Sequence, residues 1–316
     1  GGLMIKEEFY FDSRDGENRI HAVRYTPDDG NVRGIVQIVH GMAEYVERYE
    51  NLAEFLTKRG ILVTGEDHLG HGKSVSEGGS FGYFCEQDPA TVVVRDVHRL
   101  KKITEEQYPQ VPYIILGHSM GSFIARNYLC RYGSGIGGAV IVGTGMQPAG
   151  LIFASKAMAG IQKLFCGSKH VSHFIDKAAF GGYNKRIDSP RTSSDWLSRN
   201  TENVDRYIED ELCGFTFTVN GFQTLFELIR RLQKQENLEK VPQNLPILMV
   251  SGAEDPVGDY GKGVHKACDS LKRAGVKNIT VKLYENDRHE LLNEDDAEVA
   301  MEDIWQWICK EIPGIA

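Results

Sequence analysis

Four short runs in this chain, Ile35-Val36-Gln37-Ile38-Val39, Tyr113-Ile114-Ile115-Leu116, Ala139-Val140-Ile141-Val142 and Ile247-Leu248-Met249-Val250, are nearly unbroken in apolar residues. A strand with one wetted face alternates apolar and polar side chains, so a strand that does not alternate must be covered on both sides. Helices packed on both faces of a parallel sheet supply that cover, and these runs are the expected central parallel strands. The runs at 5–12 and 19–26 behave differently: they alternate, and Ser13-Arg14-Asp15-Gly16-Glu17-Asn18 between them reads as the turn of an antiparallel hairpin at a sheet edge.

In all, eight strands are expected, at 5–12, 19–26, 34–40, 61–66, 113–118, 138–143, 246–251 and 279–285. Helical patterns at about 46–59, 88–107, 120–132, 260–274 and 295–310 give the alternation of a doubly wound α/β sheet. Ligands of such sheets sit at the carboxyl ends of the strands.

The alternation lapses between Gly143 and Leu245, where helical stretches occur without a convincing strand. The chain therefore divides into a core, 1–143 and 221–316, and a helical cap insertion, 144–220. Leu151-Ile152-Phe153, Met158, Ile161 and Leu164-Phe165 exceed what one packing face requires, so some of this surface is expected to line a cavity or to offer a homodimer contact. The plainer alternative is a helical cap packed on the core.

At 316 residues, 41% hydrophobic and 25% charged, the chain has the make-up of one folded domain with an insertion. A net charge of -8 with scattered Lys and Arg excludes the basic stripe that nucleic acids require; Lys101-Lys102 and Arg230-Arg231 read as solvated helix faces. The six cysteines lie far apart with no C-x-x-C pair, which points to a reducing, cytoplasmic setting. No apolar run approaches the ~20 residues of a membrane-spanning helix. Gly1-Gly2-Leu3 ahead of Met4 reads as an appended segment.

Gly117-His118-Ser119-Met120-Gly121 fits Gly-x-Ser-x-Gly between an expected buried strand and an expected helix. That context gives the motif its meaning, because the serine must stand on a sharp turn above the sheet, with glycines where β-carbons would collide. A serine hydroxyl needs an oriented histidine held by a carboxylate, in the chain order Ser, Asp or Glu, His. Asp255 follows the strand at 246–251, and Pro256 restricts its backbone; Glu254 and Asp259 are its rivals. His289 follows the last strand, whereas His265, the other histidine after Asp255, falls within a helical pattern. The pairs His68/His71 and His170/His173 lack a third ligand at suitable spacing, so no metal is expected.

Val39-His40-Gly41-Met42 ends the third strand, where one backbone N–H of an oxyanion hole belongs; the donors would be the amides of Met42 and Met120. Together, His40-Gly41-Met42-Ala43-Glu44 with Glu47-Arg48-Tyr49, then Asp67-His68-Leu69-Gly70-His71-Gly72-Lys73-Ser74, then Gly117 to Gly121, Asp255-Pro256-Val257-Gly258 and His289 resemble the monoacylglycerol lipase and lysophospholipase family, grouped with the serine aminopeptidases. The match follows the family's order over most of the chain. The resemblance implies an α/β-hydrolase fold, Ser119, Asp255 and His289 as the triad, Met42 and Met120 as oxyanion donors, and the cap as the roof of an acyl-chain pocket. Glu44 and Arg48 would shape the pocket mouth or form a structural ion pair. Tyr45 stands where the family commonly has His, so no head-group preference carries over.

The expected reaction is two-step acyl transfer on a small-molecule ester without a cofactor, with a monoacyl lipid ester favoured over a small polar one. A short-chain or aromatic-acid carboxylesterase is the nearest alternative, and a peptidase a further one. A dehalogenase would carry Asp where Ser119 stands. A catalytically silent binding protein of the same fold would be expected to lack a triad member.

Overall fold

A computed structural model describes residues 4–316, and the expected appended segment Gly1-Gly2-Leu3 lies outside them. Eight strands form one sheet: β1 (Ile5–Asp12), β2 (Arg19–Thr26), β3 (Gly34–Val39), β4 (Ile61–Glu66), β5 (Tyr113–His118), β6 (Gly138–Val142), β7 (Ile247–Gly252) and β8 (Ile279–Tyr284). Their spatial order is β1-β2-β4-β3-β5-β6-β7-β8. The β1–β2 and β2–β4 pairings are antiparallel, and β4-β3-β5-β6-β7-β8 are paired in parallel.

Side-chain alternation along the central strands feeds two separate cores. Ile35, Val39, Ile115, Ala139, Ile141, Ile247 and Met249 point to one face. Val36, Ile38, Ile114, Leu116, Val140, Val142, Leu248 and Val250 point to the other. The first core is closed by α2 (Pro89–Gln107), α3 (Met120–Tyr132), α7 (Val219–Leu232) and α9 (Lys262–Arg273), and the second by α1 (Glu50–Thr57) and α10 (Ala297–Glu311). Gln37, the polar interruption in β3, is buried with its amide donating to the Val97 carbonyl and accepting the Tyr113 hydroxyl.

Element ends move from their expected places for local reasons. Strand β6 stops at Val142 because Gly143 turns into the left-handed region (φ 60°). Strand β7 begins after Pro246, which has no N–H to give to a ladder. Helix α9 starts only at Lys262, since Asp259, Tyr260 and Gly261 all have positive φ. The helix expected at 46–59 divides into a 3-10 turn, Val46–Tyr49, and α1.

Between β6 and β7 lie α4 (Ala149–Cys166), α5 (His173–Phe180), α6 (Thr201–Glu209), α7 and the short α8 (Gln235–Leu238). Among the described residues this stretch holds no strand beyond an isolated bridge between Val171 and Thr218. Helix α7 packs on both α4 and α3, so the expected boundary at 220/221 falls within its first turn. No helix of the described residues is long and apolar enough to cross a membrane.

Candidate active site

Three loops at the carboxyl ends of β5, β7 and β8 bring Ser119, Asp255 and His289 together. Ser119 itself occupies φ 58°, ψ -122°, a conformation that lifts its side chain above the sheet at the start of α3. The turn closes only because its flanks are glycine. A β-carbon on Gly117 would lie 2.3 Å from the Gly121 carbonyl oxygen, and one on Gly121 would lie 2.0 Å from that of Val39.

His289 Nε2 lies 2.8 Å from Ser119 Oγ, and His289 Nδ1 lies 2.8 Å from Asp255 Oδ2. Asp255 is wholly buried, and its second oxygen accepts the N–H of Val257, the residue after Pro256, at 2.9 Å. The carboxylate is thus held from both sides, and a neutral imidazole between it and the hydroxyl carries its proton on Nδ1. The rivals make no such contact: Glu254 is exposed, Asp259 is exposed at the cavity lining, and His265 is exposed on α9.

The amides of Met42 and Met120 donate to no protein acceptor among the described residues, while their residues line the same cavity as Ser119 and His289. Two free donors beside a nucleophile, one of them at the positive end of α3, suit an oxygen that gains negative charge.

Glu44 lines this cavity, but its oxygens are occupied from within. One accepts the Gly41 N–H at 2.7 Å and the Tyr49 hydroxyl at 2.8 Å, and the other accepts Arg48 at 3.0 Å. Arg48 lies outside the cavity lining and forks onto Glu290 at 2.8 and 3.0 Å. Of the two readings of Arg48, pocket mouth or structural ion pair, the geometry supports the ion pair: its guanidinium lies between two buried carboxylates. Tyr45, half-buried and absent from the cavity lining, donates its hydroxyl to Asp210 at 2.6 Å.

The sequence reading missed His118 and Glu290, each adjacent in sequence to a triad residue. His118 Nε2 lies 3.0 Å from the His289 carbonyl oxygen and its Nδ1 lies 3.5 Å from Glu44. Burial alone would depress this imidazole, yet Glu44 moves it above its ordinary value. Burial would likewise raise Glu44, but the His118 hydrogen bond and the Arg48 charge hold it below the usual 4.5. A carboxylate with a lowered folded-state pKa contributes stability above its unfolded value and loses that contribution as pH falls towards the folded one. Melting temperature is accordingly expected to drop between about pH 5 and pH 3, with Glu44→Gln flattening that part of the curve. An identical slope in the variant would show that Glu44 does not carry the effect.

Above the sheet lies a cavity of about 1030 Å³. Its apolar wall comes from α4, α5 and α7, including Ile152, Met158, Ile175, Leu225 and Phe226, and its polar end holds Glu44, Tyr207 and Glu290. Trp196 sets its ring 5.2 Å from that of His289. His170 and His173 are exposed on the outer surface, away from the cavity lining. Among the described residues, the one group of three acidic or imidazole ligands close enough to share an ion is Glu8, His21 and Glu47, whose carboxylates already meet Lys73 and Lys6.

Known lipases and esterases are similar to this chain in sequence and fold. Monoglyceride lipase of Rattus norvegicus is 29% identical over 273 residues, covering 86% of this chain and 80% of that protein. Monoacylglycerol lipase of Mycolicibacterium smegmatis is 27% identical over 289 residues, 91% of this chain and 92% of the relative. A crystal structure of a thermostable carboxyl esterase from Bacillus coagulans in complex with glycerol superposes with a TM-score of 0.91 at 30% identity, covering 99% of this chain and 100% of that one. The profile of the serine aminopeptidase S33 family matches residues 30–296. With the sheet order, the strained serine turn and this match in agreement, the chain belongs to the serine aminopeptidase (S33) family of α/β-hydrolases.

Proposed function

We propose that this serine ester hydrolase works through Ser119 as nucleophile, His289 as general base and acid, and Asp255 as the carboxylate that orients the imidazole. The observation that carries the reading is His289 standing 2.8 Å from both Ser119 Oγ and Asp255 Oδ2 at the wall of an apolar cavity. Ser119 Oγ attacks the ester carbonyl as His289 takes its proton, and the amides of Met42 and Met120 hold the oxyanion. Collapse expels the alcohol with the proton from His289. Water then attacks the acyl-enzyme by the same path and releases the acid.

The cavity supports the proposed substrate class. A volume of about 1030 Å³ with aliphatic and aromatic walls fits a single acyl chain. Residues 144–220 act as a cap whose inner face shelters that chain, so a monoacyl lipid ester, such as a monoacylglycerol, is the proposed substrate. The similar lipases support this choice. Rates on glycerol monoesters are expected to rise with acyl length from butyryl to long-chain substrates, measured with aromatic-acid esters and lysophospholipids alongside. Activity confined to acetyl and butyryl esters would favour the carboxylesterase alternative.

The outer face of α4 leaves Leu164 and Phe165 more than four-fifths exposed and Phe153 78% exposed. Such a patch favours association, either with lipid aggregates or between two copies of the chain. For a homodimer through the cap, sedimentation should show a concentration-dependent dimer that Leu164→Glu converts to monomer. A wild type that stays monomeric at all concentrations removes the dimer. All six cysteines are free, which supports the cytoplasmic setting.

A further inference from the structure

We infer that His40, assisted by His68 and His71, is a positioning residue that aims the Met42 amide at the oxyanion, an inference that rests on the proposed role of that amide. In a trans peptide the carbonyl and the N–H point in opposite directions, so holding one aims the other. The Gly41 carbonyl, in the same peptide unit as the Met42 N–H, accepts His40 Nδ1–H at 2.7 Å. The Met42 N–H is thereby turned the other way.

This hold needs one tautomer of His40, and the surroundings select it. The backbone N–H of His68 donates to His40 Nε2 at 3.0 Å, so Nε2 must be bare and the proton must reside on Nδ1. His68 returns a hydrogen bond from Nε2–H to the His40 carbonyl at 2.9 Å.

Neighbouring peptide groups are tied as well. The Gly41 N–H donates to Glu44 at 2.7 Å, and the Ala43 N–H, on a residue at φ 55°, donates to His71 Nε2 at 3.1 Å. His71 Nδ1–H in turn reaches the Leu69 carbonyl at 3.0 Å. From Gly41 to Ala43, the Met42 amide alone is left free of a protein acceptor.

All three imidazoles are at most 1% exposed, and burial keeps their pKa values below the ordinary histidine range, so the neutral donor and acceptor pattern persists in working conditions. Ring centroids of His40 and His68 are 4.0 Å apart, and those of His40 and His71 are 5.2 Å apart. The scaffold also abuts the nucleophile: a β-carbon on Gly121 would come within 2.4 Å of the His40 carbonyl oxygen. The three-residue spacing of His68 and His71 is thus explained by backbone support, with most ring nitrogens already engaged by peptide groups.

Two substitutions separate aiming from mere packing. His40→Asn keeps a donor near the Nδ1 position and loses the acceptor for His68; His40→Gln keeps an acceptor near Nε2 and loses the donor to Gly41. Each forfeits one buried hydrogen bond, so their melting temperatures should fall by similar amounts. In steady-state ester hydrolysis, kcat of the Gln variant is expected to fall about 10- to 100-fold with KM unchanged, while the Asn variant stays within about threefold of wild type. Equal losses of kcat in both variants, or a Gln variant with wild-type kcat, would overturn the inference. An independent measurement needs no variant to fold: 15N-histidine NMR of the wild type should show His40 protonated on Nδ1, and a proton on Nε2 instead would sink the idea. Failure of Ser119→Ala to abolish hydrolysis bears on the triad alone, because neither the tautomer nor the Asn/Gln contrast depends on it.

Discussion

Ser119→Ala is expected to lower kcat for ester hydrolysis by about 10⁵- to 10⁶-fold without unfolding the protein, since removing a triad nucleophile leaves only the contribution of oxyanion donors and binding. The substitution deletes one partly exposed hydroxyl whose side-chain partner is His289. Its backbone stays anchored, with the Ser119 N–H on the Val142 carbonyl at 3.0 Å and the Ser122 hydroxyl on the Ser119 carbonyl. A normal melting curve together with the lost turnover is therefore the expected pair of results. A variant retaining a tenth of wild-type turnover would assign the chemistry to another group.

Arg48→Ala should instead unfold the site. Glu44 and Glu290 face the same guanidinium, each carboxylate with only 5% of its side chain exposed. Replacing both partners of a buried ion pair by apolar groups is often tolerated, but removing one leaves an uncompensated charge, at a cost of about 3–5 kcal/mol. Here two carboxylates would be left, although Asn203 and Tyr49 still donate to them at 2.7 and 2.8 Å. Denaturant titration should show the unfolding free energy lowered by that amount. Activity should fall with it, since Glu44 holds Gly41 and Glu290 directly follows His289. A shift below about 1 kcal/mol would place Arg48 among ordinary surface ion pairs.

These two residues also mark what was legible in the chain of letters. Ser119 stood out because its signal is local: two glycines around a serine, with an unbroken apolar run before and a helical period after. The central strands were legible for the same reason, since burial on both faces leaves no polar positions along Ile114 to Leu116 or Ala139 to Val142, while the first two were legible by their alternation. Their ends shifted where single residues, such as Pro246 and Gly143, overrule the apolar pattern.

Arg48, by contrast, meets Glu290 across 242 positions, and no spacing rule connects them. His118 lies inside the serine motif at a position the motif leaves free, so its reach to the His289 carbonyl emerges only when β5 and the loop after β8 are brought together. The helices between β6 and β7 were expected as a group, but not which faces they turn inward. In α4, Ile152 and Ala159 are buried while Phe153 and Leu164 are exposed, an apolar helix whose composition gives little hint of orientation. The histidines at 68 and 71 were weighed as metal ligands, because residue identity is visible in a sequence and hydrogen-bond direction is not.

The most direct test of the central claim is peptide mass spectrometry after reaction with a fluorophosphonate, comparing the wild type with Ser119→Ala and His289→Ala. One adduct is expected in the wild type, on the peptide containing Ser119, none in Ser119→Ala, and labelling slowed by several orders of magnitude in His289→Ala. A folded wild type that takes no label, or carries it on a different residue, would contradict the claim.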